Sequence, residues 1–279
     1  MNTKFVKGLL ACALVAAPLT GCSSGSGDDA AEDKTITIGA SVTPHAEIIN
    51  NIVPDLEELG YTVEVVEFSD YVKPNQALYE GELDCNYFQH TPYLEDWVAN
   101  NCENKDDLVS AAKIHFEPLG IYSSKHTDVS DVPDGAQIAV PNDTTNEARA
   151  LQLLQAQGII TLAEGKGLEA TKADIVENPY NVEIIELAAE VVPTKLNEVD
   201  FAIANGNNAL NADITDYLLV TESTDSEAAD QYANVIAVRK GDEDSQKIQD
   251  LLSVLETQKT VDFIKENYNG VVVPVFEVK

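Results

Sequence analysis

Residues 138–149 read Ile-Ala-Val-Pro-Asn-Asp-Thr-Thr-Asn-Glu-Ala-Arg, a short apolar run followed by a polar turn. A helical pattern continues from the turn to Gly158, so the stretch predicts a strand, a turn and a helix N-terminus. Thr144 or Thr145 is the expected N-cap, because a hydroxyl there accepts a hydrogen bond from the first turn. Such an N-terminus favours an anion, and Arg149 adds a planar fork that suits a carboxylate. The alternative is an ion pair between Arg149 and one of the many acidic residues.

Strand and helix patterns alternate on both sides of this stretch. Residues 35–40 and 61–68 alternate as strands do, and a helical pattern at 45–59 lies between them. This alternation predicts a largely parallel sheet covered by helices. Further along the chain, we expect a short helix at 171–177 and a loop at 205–208, after a strand.

Two segments predict crossings between lobes. Residues 108–122 form a long apolar run that is broken at Pro118 and Gly120, and residues 234–239 resemble a returning strand. We therefore expect an α/β protein with two lobes, the second inserted into the first. The predicted limits are 34–118 with 233–279 for lobe 1, and 119–232 for lobe 2.

The N-terminus has the pattern of an export signal. Lys4 and Lys7 precede a short apolar core, and the core ends at Leu19-Thr-Gly-Cys22. This order is typical of a bacterial lipoprotein signal, which predicts a signal peptide at 1–21 and Cys22 as the lipidated residue. Residues 22–33 then read as a flexible tether. We expect the protein to lie on the extracytoplasmic face of the cell membrane, held there by its lipid.

The charge and the cysteine content limit which partners and which disulfides are expected. The formal net charge of −31 argues against nucleic acid, because no basic surface is available for phosphate. Apart from Cys12 in the signal and Cys22, the cysteines are Cys85 and Cys102. An exported protein can form disulfides, so these two either pair or remain as free thiols.

Polar and aromatic residues cluster where the predicted strands end. In open α/β sheets ligands bind at the carboxyl ends of strands, so these side chains are candidates for ligand contact. An aromatic set in one lobe would face an amide and arginine set in the other, which is the profile of an amino-acid cleft. Each residue also has a purely structural interpretation as a core aromatic, a turn asparagine or a hydrogen-bonded histidine. The side chains at strand ends are Ser41, His45, Asp70, Tyr71, Asn75, Phe88, Gln89, His90, Tyr93, Asn142, Asn146, Arg149, Asn205, Asn207 and Asn234.

Catalysis and cofactor binding find little support. The G-x-S-x-G match at residues 21–25 spans the predicted cleavage site and is no strand-to-helix elbow, and the chain has no phosphate-binding glycine loop and no H-E-x-x-H motif. We therefore expect neither an enzyme nor a cofactor. A zinc site assembled from the histidines is the alternative function, since three of them from separate loops could hold Zn²⁺. The histidines are His45, His90, His115 and His126.

Several motifs resemble one known family. Residues 68–78, the F-Q-H-T-P-Y motif at 88–93 and the P-N-D-T-T-N-E-A-R motif at 141–149 are similar to methionine-binding lipoproteins of the NlpA type. Members of that family are substrate-binding components of methionine-uptake ABC transporters. The resemblance covers nearly all of the mature chain. It implies a two-lobed fold of the periplasmic-binding-protein type (type II), with two crossover segments and a ligand cleft between the lobes.

The resemblance also implies roles for the candidate residues. Arg149 would hold the ligand carboxylate, and three asparagines would help to hold the polar head. The thioether side chain would be enclosed by Tyr71, Phe88, His90 and Tyr93. The asparagines are Asn146, Asn205 and Asn234.

The ligand and partners follow from the same resemblance. We expect a monomer that captures L-methionine or a close analogue and delivers it to the permease and ATPase subunits of an ABC importer. Asn208 stands where the family often has an aromatic residue, and the loop at 41–45 is shorter than the common version. A methionine dipeptide or another apolar amino acid therefore remains an alternative ligand.

Overall fold

The computed structural model describes residues 34–279, except for the side chain of Ser226. The predicted signal peptide, tether and lipidated Cys22 lie outside the described residues. Within residues 34–279, no helix has the length and apolarity needed to cross a bilayer.

The described chain alternates strands and helices along most of its length. The strands are β1 (Thr35–Ser41), β2 (Thr62–Phe68), β3 (Cys85–His90), β4 (Leu108–Phe116), β5 (Gly120–Tyr122), β6 (Gln137–Pro141), β7 (Thr161–Leu162), β8 (Ile175–Glu177), β9 (Glu183–Leu187), β10 (Phe201–Ala204), β11 (Leu218–Thr221), β12 (Ala233–Arg239) and β13 (Val273–Pro274). The helices are α1 (Glu47–Glu58), α2 (Lys73–Tyr79), α3 (Thr91–Asn101), α4 (Thr144–Ala156), α5 (Gly206–Asn211), α6 (Ser226–Gln231), α7 (Gln246–Leu255) and α8 (Gln258–Tyr268).

These strands form two main sheets with the same topology. The first sheet has the order β2-β1-β3-β12-β4, with β13 beyond β4, and the second has the order β9-β6-β10-β5-β11. In each sheet the strand beside the three parallel ones runs antiparallel to both of its neighbours, namely β12 in the first and β5 in the second, and β13 is antiparallel to β4. Both are the strands that enter their sheet from the other one, so each crossing supplies the reversed strand. The predicted two-lobed α/β fold is confirmed, but each sheet is mixed rather than largely parallel.

The chain crosses between the sheets twice. It leaves the first sheet after Phe116 and enters the second at Gly120, and it returns between Thr221 and Ala233. Helix α6 lies in the return segment. The exact lobe limits at 118/119 and 232/233 stay a prediction.

Helices cover both faces of each sheet. In the first lobe, α1, α7 and α8 contribute apolar side chains to the core on one face, and α2 and α3 cover the other face. In the second lobe, α4 covers one face, while α5 and the turn at 192–195 cover the other. The apolar positions of α1 and α7 recur at helical spacing, so each helix buries one stripe and exposes its opposite side to water. This packing holds the strand ends of both lobes in fixed positions.

Two local expectations were wrong. The predicted loop at 205–208 contains the start of helix α5, because Asn205 takes the extended conformation of an N-cap and the chain turns helical at Gly206. The predicted helix at 171–177 is only one short turn, at 172–174, followed by strand β8. Asp174 closes that turn by accepting hydrogen bonds from the backbone N–H and the hydroxyl of Thr171.

The disulfide left open by the sequence does not form. Cys85 and Cys102 are both free thiols, and Cys85 is buried while Cys102 is half-buried. The physical reason is the sheet between them. Cys85 belongs to the core beside α1, α7 and α8, whereas Cys102 packs against the core on the opposite face, under α2 and α3.

We expect the two thiols to react at different rates in a variant that begins at Lys34, where they are the remaining cysteines. Cys102 should be alkylated in the folded protein, and Cys85 only after unfolding, because burial raises the pKa of the Cys85 thiol and shields it. Mass spectrometry after timed alkylation measures this order. A mass two units below the reduced value, lost on reduction, would show a disulfide and contradict the structure.

Candidate functional site

A cavity lies between the two lobes, with an empty volume of about 320 Å³ that includes open solvent at its mouth. The lining comes from strand ends of both lobes, from the first crossing and from the start of β12. The lining residues are Tyr71, Phe88, Gln89, His90, Tyr93, Glu117, Asn146, Arg149, Asn205, Asn207 and Asn234.

All eight residues to which the resemblance assigns a ligand role line this cavity. Their contact with a ligand stays a prediction. Gln89 and Asn207 also line it, and both were among the strand-end residues without an assigned role. Glu117 was missed, because it lies in the first crossing and had no strand-end signal.

The N-terminus of α4 positions two of these side chains. Its N-cap is Asp143, not Thr144 or Thr145, and the Asp143 carboxylate accepts from the backbone N–H of Asn146 at 3.0 Å. A carboxylate is the better partner here because it also meets the positive end of the helix dipole. The protein's own carboxylate thus fills the anion position that the sequence suggested for a ligand. It also accepts from the side-chain amide of Asn146, which fixes the direction of that side chain.

Arg149 is a buried cation. It is only 3% exposed, and its guanidinium is hydrogen-bonded on several sides. Nε donates to both carboxylate oxygens of Glu222, at 2.8 and 3.0 Å, and Nη2 donates to the same carboxylate. Nη2 also donates to the main-chain oxygen of Glu117 at 2.9 Å. The Cζ atom lies 4.2 Å from the ring centroid of Tyr232.

The predicted alternative, an ion pair between Arg149 and an acidic residue, is therefore confirmed, because Arg149 pairs with Glu222. The bonds formed with the described residues use Nε and Nη2, so Nη1 remains for a ligand. Arg149 also joins the first crossing, through Glu117, to the second, through Tyr232. A group bound by this guanidinium is thus coupled to both crossings.

Amide side chains join the lobes across the cavity. The Asn146 side-chain oxygen accepts from His90 Nε2 at 3.1 Å and from Asn205 Nδ2 at 2.8 Å. His90 belongs to the first lobe and both asparagines to the second. In the same way, the hydroxyl of Tyr71 donates to Asn207 Oδ1 at 2.5 Å. These bonds across the cleft describe a closed arrangement of the two lobes.

One wall of the cavity is aromatic. The ring centroids of Tyr71, Phe88 and Tyr93 lie 5.9 to 6.0 Å from one another. The Tyr93 hydroxyl donates to the main-chain oxygen of Tyr71 at 2.9 Å, which fixes the third ring against the first. Such a wall offers apolar and polarisable contact, which suits an aliphatic or thioether side chain.

A buried carboxylate and two histidines lie beside the polar end of the cavity. Glu117 Oε1 is 2.7 Å from His115 Nε2 and 3.6 Å from His45 Nε2. Its other oxygen, Oε2, accepts from the backbone N–H of Asn207 at 2.6 Å. The hydroxyl of Tyr87 bonds to His115 Nδ1, and His45 Nε2 lies 3.0 Å from Asn234 Oδ1. Carboxylate and amide oxygens only accept, so both histidines carry their proton on Nε2.

The same three groups are the ones that could hold a metal. One ligand atom from each of His45, His115 and Glu117 lies within 4.8 Å of the others, and two histidines with a glutamate form a known zinc ligand set. The other two histidines of the zinc hypothesis lie elsewhere. His90 bonds to Asn146, and His126 stacks on Phe201 in the second lobe. Of the four histidines in the zinc hypothesis, His45 and His115 therefore remain as possible ligands, together with Glu117.

Burial keeps these histidines neutral. Desolvation lowers the pKa of His45 to about 4 and that of His115 to about 3. For His90, burial and then the nearby charge of Arg149 lower the pKa to about 3. Desolvation also raises the pKa of the Glu117 carboxyl, against the opposing effects of His45, Asn207 and Arg149.

Comparison with known proteins shows which sequences and structures this chain resembles. The sequence profile of the family described as NlpA lipoprotein matches residues 36–276. The methionine-binding lipoprotein MetQ of Bacillus subtilis is 40% identical over 262 residues, which cover 93% of this chain and 94% of that protein.

Solved structures are similar over the whole described fold. A nutrient-binding protein from Burkholderia cenocepacia, bound to methionine, is 40% identical with a TM-score of 0.80, and the match covers 86% of this chain and 100% of that one. An ABC transporter periplasmic substrate-binding protein from Coxiella burnetii is 34% identical with a TM-score of 0.79, over 86% of this chain and 100% of that one.

The neutral histidines predict an acid-dependent loss of stability. A histidine whose pKa is lowered in the folded state binds its proton more readily in the unfolded state. Its contribution is complete above about pH 6.5 and is lost as the pH falls towards the folded value, by roughly 1 kcal/mol for each pH unit. We expect His115→Gln to reduce this slope of unfolding free energy against pH, measured by urea unfolding between pH 7.5 and 5.

The control is His126→Gln, which removes a half-buried histidine outside the buried cluster, 3.3 Å from Asp200. A larger reduction of the slope in His115→Gln than in this control assigns the effect to the buried ring. The buried carboxyls of Glu117 and Asp143 have raised pKa values and oppose the effect, so the informative quantity is the difference between variant and wild type. Parallel slopes in His115→Gln and wild type would contradict the neutral, buried state of His115.

Proposed function

The chain belongs to the NlpA lipoprotein family, and we propose that it captures L-methionine or a close analogue outside the cytoplasm and delivers it to an ABC importer. The observation that carries this proposal is the closed cavity with an arginine at one end and an aromatic wall at the other. Methionine has one end for each, and relatives of this chain bind it. The chemistry is recognition, so the protein binds and releases its ligand unchanged.

In this proposal the ligand carboxylate binds to Nη1 of Arg149. Glu222 occupies the other side of the guanidinium and holds its plane, while the amide groups of Asn146, Asn205 and Asn234 surround the polar head. A charge-assisted bond in a cavity closed to water is stronger than the same bond at a surface. The thioether side chain then lies against Tyr71, Phe88, His90 and Tyr93.

Transport requires that the bound and empty states differ in shape. Binding stabilises the closed arrangement because the ligand touches both lobes and both crossings, and Arg149 contacts each of these crossings. The closed protein would then dock on the permease, whose ATPase subunits drive import. The protein would act as a monomer, tethered at the extracytoplasmic face by lipid on Cys22.

A second candidate function is zinc binding, which the buried set of His45, His115 and Glu117 favours. Glu117 and His115 are hydrogen-bonded within the described residues, whereas Nδ1 of His45 has no hydrogen-bond partner there. Methionine capture is the better-supported function because relatives of this chain bind methionine. Stoichiometric Zn²⁺ in the purified protein, with binding that survives a change at Arg149, would favour the metal instead.

We expect Arg149→Lys to weaken methionine binding by about 10-fold or more, because a lysine ammonium cannot reproduce the fork or its position. The matched control is Arg239→Lys. Arg239 also donates to main-chain oxygens, those of Leu78 and Leu83, but it does not line the cavity. Its replacement should change affinity by less than about 2-fold.

Calorimetric titration of protein freed of bound ligand measures both variants. Circular dichroism and thermal unfolding establish that each is folded at the titration temperature. Equal methionine affinity in Arg149→Lys and wild type would contradict the assignment of Arg149 to the ligand carboxylate.

A further inference from the structure

Glu117 is the acidic side chain among the residues that line the cavity. It is 6% exposed, and its main-chain oxygen touches the guanidinium of Arg149. Resting on the function proposed above, we propose that the Glu117 carboxylate binds the amino group of the ligand and that the cavity selects ligands with a free, protonated α-amine.

Within the described chain, the Glu117 carboxylate lacks a lysine or arginine partner. Among residues 34–279, it forms no ion pair with a lysine or an arginine side chain. Its hydrogen-bond donors are the backbone N–H of Asn207 and the ring of His115, with His45 at 3.6 Å. These groups orient the carboxylate towards the cavity wall that it shares with Arg149. A buried carboxylate is costly without a cationic partner, and a ligand ammonium would supply one.

The side-chain oxygen of Asn205 is a hydrogen-bond acceptor without a donor among the described residues. Asn205 is 8% exposed and lines the same cavity, and its side-chain oxygen has no hydrogen-bond partner among the described residues. The Asn205 amide nitrogen is already used, because it donates to Asn146. An ammonium group carries three N–H donors, so it can meet Glu117 and Asn205 together.

Arg149 and Glu117 are also in contact with each other. Nη2 of Arg149 lies 2.9 Å from the main-chain oxygen of Glu117, and both residues line the cavity. An α-amino acid carries its carboxylate and its ammonium on one carbon, whereas in a dipeptide the two charges are separated by a further residue. A carboxylate on Arg149 and an ammonium on Glu117 would therefore suit a single free amino acid better than the dipeptide alternative.

Two classes of analogue follow as poor ligands. An N-acetylated amino acid has an amide in place of the ammonium, and the acetyl group would need space beside the buried carboxylate. An α-hydroxy acid has a neutral hydroxyl in place of the ammonium, so it leaves the charge of Glu117 uncompensated. The side chain can stay the same in each case, which isolates recognition of the amine.

The test measures discrimination between two ligands that differ at the amine. Methionine and its α-hydroxy analogue, 2-hydroxy-4-(methylthio)butanoate, are titrated calorimetrically into the full chain in detergent, freed of ligand by unfolding and refolding. We expect the wild type to prefer methionine by about 100-fold, since hydrogen bonds to charged groups are the strong ones. In Glu117→Gln this preference should fall below about 10-fold, mainly through weaker methionine binding.

The matched control is Glu147→Gln. Glu147 is also a buried glutamate, but it lies outside the cavity lining and accepts from the backbone N–H of Lys172. It should keep the wild-type preference. If Glu117→Gln does not fold, the wild type still decides the question through its own preference.

The outcomes separate this inference from the proposed function. A wild type that binds methionine and the hydroxy analogue equally well, or a Glu117→Gln variant with the wild-type preference, overturns the role of Glu117 while methionine binding stands. A wild type that binds neither ligand overturns the proposed function and this inference with it.

Discussion

The buried guanidinium of Arg149 is the interaction on which the rest of the site depends. A charge that is 3% exposed must be bonded on every side that the protein closes, and this requirement fixes its neighbours. Glu222 neutralises it, the main chain of Glu117 accepts from it, and the ring of Tyr232 covers its face. Glu117 lies in the first crossing, and Glu222 and Tyr232 lie in the second. The charge that recognises a carboxylate is thus also the group that ties lobe 2 to both crossings.

The shared topology of the lobes explains why such a site exists at all. In each sheet the strand that arrives from the other lobe runs antiparallel beside the third parallel strand, as β12 does beside β3 and β5 beside β10. The carboxyl ends of the parallel strands in both lobes therefore face the same gap. Aromatic side chains follow strands in lobe 1 and amides follow strands in lobe 2. The cavity is polar at one end and apolar at the other because each lobe contributes one kind of lining.

Much of this arrangement was predictable from sequence. The alternation of strand and helix predicted an α/β fold. The rule that ligands bind at strand ends gave a larger set of side chains, from which the family resemblance selected eight that line one cavity. The misses have physical causes. Glu117 was missed because it follows an apolar run in a crossing, where nothing local distinguishes a buried carboxylate. The N-cap of α4 was misplaced because Asp143, beside the two threonines, is a stronger partner for the helix dipole.

The cysteines and the sheets show the same limit. Spacing between Cys85 and Cys102 says that a bridge could be built, but the face of the sheet on which each thiol lies is a tertiary property. Likewise, a strand pattern does not state its direction, so the antiparallel crossing strands could not be read from periodicity. In both cases the property depends on where a residue lies relative to distant parts of the chain, and local sequence patterns do not contain this information.

The central claim is that the closed cavity holds a free amino acid. Native mass spectrometry of the full chain, purified gently from cells that supply the natural ligand, measures the mass of what the cavity retains. We expect one bound molecule per chain, released on unfolding and identified as methionine. A protein that carries Zn²⁺ instead, or a retained ligand without a free α-amine, would contradict the claim.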